Sequence, residues 1–219
     1  MLLAEAVAAG VVIEAVFVAP GADVGAGVDA PVHELAPGVL ERVASTDHPQ
    51  PVLAVARMPR HTLHDLAGAT FLVVGAGLAD PGNAGTLART AEAAGADALV
   101  LTAGSVDPWS PKVVRASAGA VLHLPVVDGV GLGDVRRLGV RLLGTAAAAG
   151  TPYDRVDWRA PFALVLGNEA HGLAPHELDE LDELVTIPHA GRAESLNVAM
   201  AGAVCCFEAS RCRRAGAAG

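Results

Sequence analysis

Aromatic residues make up only 3% of the 219-residue chain, and there are three cysteines, of which Cys205 and Cys206 are adjacent and Cys212 stands alone. They form no CxxC pair and no even disulfide framework. That excludes a zinc ribbon and a small disulfide-stapled scaffold, and reads as small hydrophobes in a reduced core. No uncharged stretch reaches the ~18 residues that a bilayer-spanning helix needs. The longest, Leu66 to Ala79, holds three glycines and stops at Asp80. The apolar N-terminus lacks a basic leader and carries Glu5 and Glu14, so it does not read as a secretory signal, and a cytoplasmic protein with no membrane partner is expected. Positive charge is also in deficit: 15 basic against 24 acidic residues give a net charge of −9. That argues against a broad nucleic-acid-binding surface, and any polyanion must be held by local patches.

What is present is apolar. With 52% hydrophobic and 18% charged residues, the chain can bury a substantial core, which excludes intrinsic disorder. The opening predicts a helix near Leu2 to Ala9 and a strand near Val11 to Val18, because Gly10 separates a helix-forming run from a β-branched one. A helix over Pro37 to Ala44 and a strand over Val52 to Ala56 follow, and then MPRHTLHDL reads as a linker. We therefore expect a small domain over 1–64 and a larger one over 69–219.

From Thr70 onward, apolar runs of strand length alternate with helical stretches: FLVVGA, ALVLTA, AVLHLPVV, VRLLGTA, FALVLG and ELVTIP. Helices are predicted over Ala84 to Ala94, Pro111 to Ala118, Gly131 to Leu138 and Ser195 to Arg213. This is an α/β pattern with a mostly parallel sheet, whose ligands sit beyond the carboxyl ends of the strands. Three strand-end loops are unusual.

GAGLADPGNAGTLARTA is a strand followed by a turn that opens a helix, offering amide donors to an anion or a ribose. It lacks the glycine spacing of a dinucleotide fingerprint. LVLGNEAHGL ends a strand in Gly167, Asn168 and Glu169, with Gly172 completing a tight loop; His171 beside it is a weaker candidate base. The acids Glu177, Asp179, Glu180, Asp182 and Glu183 read as a solvated helix face rather than metal ligands. IPHAGRAESLNVAMAGAVCCFEASR places Ser195 and Asn197 at the start of a long apolar helix, as caps or as groups at a mouth of the sheet.

Jointly and in this order, DPGNAGTLARTA, LVLGNEAHGL and IPHAGRAESLNVAMAGAVCCFEASR closely resemble the three motifs of the SpoU (TrmH-like) branch of the SPOUT methyltransferases. The likeness spans roughly Leu72 to Arg211, and VDPWSPKVVRASAGAVLHLPV resembles the family's connecting segment. The resemblance implies a ribose 2′-O-methyltransferase acting on RNA with S-adenosylmethionine and no metal. The implied fold ends in a C-terminal trefoil knot and is preceded by a small, truncated α/β RNA-binding domain. Position by position, it assigns catalytic roles to Asn83, Arg89, Glu169, Ser195 and Asn197. Cosubstrate contacts fall on groups around Thr145, Leu166, Gly167, Asn168, Glu169, Gly172, Ile187, Pro188 and Leu196.

The residue types suggest how such a site would work. The 2′-hydroxyl is a poor nucleophile, so the protein must chiefly align it. Arg89 is read as a clamp on phosphate and developing alkoxide, Ser195 and Asn197 as ribose-fixing groups, and Glu169 as an orienter of its loop. Arg57, Arg60, His61, Lys112, Arg115 and Arg192 could converge with Arg89 along an RNA backbone. Ribosomal RNA is the expected substrate. The resemblance further implies a homodimer joined through the C-terminal helix region, leaving open which subunit's site Arg89 serves. Two other readings remain at this point, a non-catalytic RNA-binding or assembly factor and a nicotinamide-dependent oxidoreductase.

Overall fold

A computed structural model describes residues 2–44, 49–192 and 194–217. The chain forms two compact units, Met1–Pro59 and Arg60–Gly219.

The first unit contains α1 (Leu2–Ala8), β1 (Ile13–Val18), β2 (Val32–Glu34), α2 (Val39–Val43) and β3 (Val52–Ala56). Its sheet has the order β2-β1-β3, with β1 parallel to β2 and antiparallel to β3. Val16 and Val18 alternate into a small core with Ala6 and Leu40, as a half-buried strand requires. The sequence gives no sign of β2: its three residues are all exposed, so no apolar period betrays it.

The second unit is built on β4 (Phe71–Gly75), α3 (Pro81–Ala94), β5 (Ala98–Thr102), α4 (Pro111–Ala116), α5 (Ala120–His123), β6 (Val126–Val130), α6 (Leu132–Arg136), β7 (Arg141–Thr145), β8 (Thr151–Pro152), β9 (Phe162–Leu166), α7 (Pro175–Leu178), β10 (Glu183–Thr186) and α8 (Val198–Ala217). The seven strands follow the order β6-β5-β4-β9-β7-β10-β8, and each of these pairings is parallel. Every residue of β4, β5 and β9 is buried, which is why these strands read as continuous apolar runs without alternation. Alternate side chains nevertheless go to opposite faces. Phe71, Val73, Leu99, Leu101, Phe162 and Leu164 join one core layer with Leu87, Cys206 and Ala209 of α3 and α8. Leu72, Val74, Val100, Ala163 and Val165 join the other with Leu132 and Val135 of α6.

Three expectations need correction. The run AVLHLPVV is not one strand: Ala120–His123 is helical and the strand begins only at Val126. Gly119, with φ of 97°, opens the helical turn, and Val121 and Leu124 are buried at a helical spacing. A short apolar run of this kind fits either period until its neighbours are placed. The acidic stretch after Gly172 is not a solvated helix face either, since only Pro175–Leu178 is helical. Asp182 accepts a hydrogen bond from the Leu142 backbone N–H at 2.8 Å and pairs with Arg136, while Glu183 pairs with Arg141. These acids fasten the start of β10 to β7. Finally, α8 begins at Val198 rather than Ser195.

Candidate active site

Three loops leave the carboxyl ends of β4, β9 and β10 and interlock through side-chain amides and one carboxylate. After β4, Asp80 caps α3 by accepting from the Asn83 backbone N–H at 2.8 Å, with Pro81 in the first turn. After β9, Asn168 and Gly172 exchange both backbone hydrogen bonds. The Asn168 side chain accepts from the N–H groups of Ala170 and His171 and donates to the Gly77 carbonyl. Gly167 is required here because a Cβ would lie 2.4 Å from the Gly172 carbonyl carbon. Gly172 itself has a φ of 67°, where L side chains are strained.

Glu169 is the hub. Its carboxylate accepts from the Ala79 N–H at 3.1 Å, the Asp80 N–H at 3.1 Å and Asn83 Nδ2 at 3.0 Å. Partial burial raises the carboxyl pKa, but the hydrogen bonds from Asn83 and from backbone amides outweigh it, so Glu169 is held below the ordinary carboxylate range. Asn83 passes the connection on. Asn197 Nδ2 donates to Asn83 Oδ1 at 2.9 Å, and Asn197 Oδ1 caps α8 by accepting from the N–H groups of Ala199 and Met200. The cap of the late helix is therefore Asn197, and Ser195 stands free of that duty.

The loops after β7, β9 and β10, with the start of α8, wall a cavity of about 400 Å³. Of the residues predicted from the sequence, Thr145, Gly167, Asn168, Glu169, Gly172, Ile187, Ser195, Leu196 and Asn197 line it. Leu166 is fully buried in β9 and Pro188 is exposed, and neither lines the cavity. Asn83 braces the wall from behind. Arg89 is exposed on α3 outside the cavity, with no partner among the described residues. His171 is exposed on the same loop between the lining residues Ala170 and Gly172, and does not itself line the cavity. Ser195 is exposed and makes no side-chain hydrogen bond among the described residues, so its hydroxyl is uncommitted.

Sequence reasoning missed Ala146, Ala147, Val185 and Ala201, small or branched residues that shape the wall and carry no chemical signal. It also missed His189, which lines the cavity while its Nε2 is buried without a hydrogen-bond partner among the described residues. A polar aromatic residue directly after Pro188, in a stretch of small residues, was the available clue. The cysteines lie elsewhere: burial pushes the Cys205 thiol up to about 12 and the Cys206 thiol higher still, so both are unreactive. Among the described residues, no group of three or more His, Cys, Asp or Glu side chains could hold a metal ion.

A parallel sheet with a cleft beyond its carboxyl edge defines a ligand-binding α/β domain of the kind that receives a nucleotide-sized molecule. Residues 70–207 match the model of the SpoU rRNA Methylase family, and the chain belongs to that family. It is 36% identical over 173 residues to the 23S rRNA (guanosine(2553)-2′-O)-methyltransferase RlmP of Bacillus subtilis, a match covering 78% of this chain and 68% of the relative. It is 35% identical over 184 residues to the 23S rRNA (guanosine-2′-O-)-methyltransferase RlmB of Ralstonia nicotianae, covering 80% of this chain and 74% of that one. Among solved structures, the SpoU methyltransferase AviRb from Streptomyces viridochromogenes in complex with AdoMet superposes with a TM-score of 0.86 at 29% identity, covering 97% of this chain and 87% of that one. An AdoMet-bound rRNA methyltransferase from Sinorhizobium meliloti gives a TM-score of 0.83 at 32% identity, covering 96% and 84%.

Proposed function

We propose that this protein methylates a ribose 2′-hydroxyl of ribosomal RNA using S-adenosylmethionine. The observation that carries the reading is the Glu169–Asn83–Asn197 relay, which joins all three family motifs around one cavity. The cavity fits the cosubstrate: its volume is within the usual ~300–1,000 Å³ range of ligand sites, and Gly167 and Gly172 allow close backbone approach. Backbone groups around Thr145, Gly167 to Glu169, Gly172, Ile187 and Leu196 would hold it.

S-adenosylmethionine supplies a methyl group already activated by the positive sulfonium. The chain's own task is to place the hydroxyl oxygen in line with that methyl and to ease loss of its proton. A guanidinium with a pKa above ~12 is no free base, so Arg89 instead binds the neighbouring phosphate and the negative charge growing on the oxygen. Ser195, with its uncommitted hydroxyl, fixes the ribose. Glu169, Asn83 and Asn197 act through position, since their polar atoms are already spent on the scaffold. As the methyl–oxygen bond forms, the carbon–sulfur bond breaks, and the hydroxyl proton leaves to solvent.

Further features belong to the same reading. Strand order β4-β9-β7-β10, in which late strands insert between early ones, supports a C-terminal trefoil knot. Met200 and Phe207 of α8, 58% and 50% exposed, support a homodimer joined through that helix. Because Arg89 stands outside its own chain's cavity, the dimer would bring it to the partner's. The first unit would be an RNA-binding domain, and the location cytoplasmic. Neither the non-catalytic factor nor the nicotinamide oxidoreductase is favoured by the comparisons or by the loop geometry. The test is methyl transfer from tritiated S-adenosylmethionine to unmodified ribosomal RNA by the purified chain, with 2′-O-methyl sites mapped in cells with and without the gene. No new site in either assay would sink the proposal.

A further inference from the structure

RNA binding by a chain of net charge −9 requires that its cations be concentrated somewhere. The first unit does not concentrate them: residues 1–59 carry Arg42 and Arg57 against seven acids, and Arg57 is paired with Glu14. The second unit does, at the end of α8 remote from the cavity. Arg211, Arg213 and Arg214 fall within four residues there, and Arg155 and Arg159 come from the turn before β9 that packs against α8. Five of the 15 basic residues therefore lie on two adjoining elements.

The arrangement is rigid. Trp158 is 1% exposed and donates from Nε1 to the Tyr153 carbonyl at 2.8 Å, pinning the turn between Arg155 and Arg159. The Arg159 side chain lies along α8, with Nε only 3.3 Å from where a Cβ on Gly216 would stand. Arg213 bonds Thr70 and covers the Phe71 ring, and Arg214 bonds Ser210. Four carboxylates accompany the group. Glu208 is consumed by Arg211, Asp157 caps the Arg159 N–H, Asp154 is exposed, and Asp97 accepts from Thr70 and the Phe71 N–H beside Arg213. Among the described residues, Arg155, Arg159, Arg213 and Arg214 have no carboxylate partner. Guanidiniums without counter-charges, three of them held by contacts to the fold, are suited to phosphate.

We infer that the C-terminal turns of α8 and the 153–159 turn form a docking surface for the phosphodiester backbone of the substrate RNA. It stands about 20 Å along the helix from Ala201 at the cavity wall, at 1.5 Å per residue. The inference rests on the RNA-methylating reading above and extends it: the enzyme grips RNA well away from the nucleotide it modifies.

The test uses the full chain carrying Arg155→Glu, Arg159→Glu and Arg214→Glu together, leaving Arg213 to its packing role. Binding of a fluorescein-labelled poly(U) strand of about 30 nucleotides should weaken at least about 30-fold at ~0.1 M salt, and the slope of log affinity against log salt should fall by about 2, near 0.7 per lost phosphate contact. Affinity for S-adenosylhomocysteine and the melting temperature should stay at wild-type values, and Arg137→Glu, a reversal elsewhere on the surface, should leave RNA binding unchanged. An unaltered slope in the triple variant would overturn the inference and leave the arginines as a solvated helix end. Patch-dependent RNA binding without methyl transfer to unmodified ribosomal RNA would support the docking surface while overturning the enzymatic reading. No RNA binding by the wild type would overturn both.

Discussion

Asn197 Nδ2 donates to Asn83 Oδ1 at 2.9 Å, joining residues 114 positions apart. The same Asn197 caps α8 with its oxygen, and the same Asn83 holds Glu169 with its nitrogen. One amide pair thus fixes the start of the late helix relative to the start of α3, and both relative to the loop after β9.

Asn197 and Ser195 should separate cleanly by mutation. Asn197→Ala removes two cap hydrogen bonds and the link to Asn83, so it should cost about 1–2 kcal/mol of stability and lower the melting temperature by several degrees. Ser195→Ala breaks no described hydrogen bond and should melt like the wild type while losing most methyl transfer. Equal loss of stability in the two variants would remove Ser195 from its assigned role.

The relay should fail in acid. Glu169 has its folded-state pKa lowered by hydrogen bonds to its ionised form. Its stabilising contribution is therefore complete above the unfolded carboxyl range and is lost as pH falls through the lower folded value. Calorimetric affinity for S-adenosylhomocysteine should hold from neutrality to about pH 5 and drop below about pH 4, in the range where carboxylates titrate. Glu169→Gln should show weak binding already at neutral pH, because an amide nitrogen would then face N–H donors. A variant that binds like the wild type at pH 7 contradicts this.

Gly167→Ala should abolish cosubstrate binding. Its methyl would meet the Gly172 backbone at 2.4–2.7 Å, where no flexible side chain can yield. The Asn168–Gly172 pairing must open, and overpacking of this kind costs about 1–3 kcal/mol or more. Saturable S-adenosylhomocysteine binding by this variant, measured by calorimetry, would show that the loop can move aside.

Arg89 offers a test of shared sites. If it serves the partner's cavity, mixing inactive Arg89→Ala and inactive Ser195→Ala chains should create heterodimers with one intact site. With random pairing half the dimers carry one good site of two, so activity should recover to roughly a quarter of wild type. Verified subunit exchange without recovery would assign Arg89 to its own chain.

The central strands, the order of elements and the three chemically distinctive loops were legible in the sequence, because local chain properties determine them. Buried parallel strands must be apolar throughout, as in FLVVG and FALVL, and tight strand-end turns need Gly167 and Gly172. Sequence could not tell Ala120–His123 from a strand, show β2, or reveal that Asp182 and Glu183 hold β10 to β7. Each depends on which surface lies opposite, and an apolar or acidic run carries no record of its partner. Likewise, DPGN, GNE and SLN announced polar groups for a site, but not that Glu169, Asn83 and Asn197 satisfy one another while Ser195 bonds none of the described residues. That division of labour exists only once β4, β9 and β10 have brought their ends together, because hydrogen bonds are short and directional and the residues that make them lie 86 and 114 positions apart.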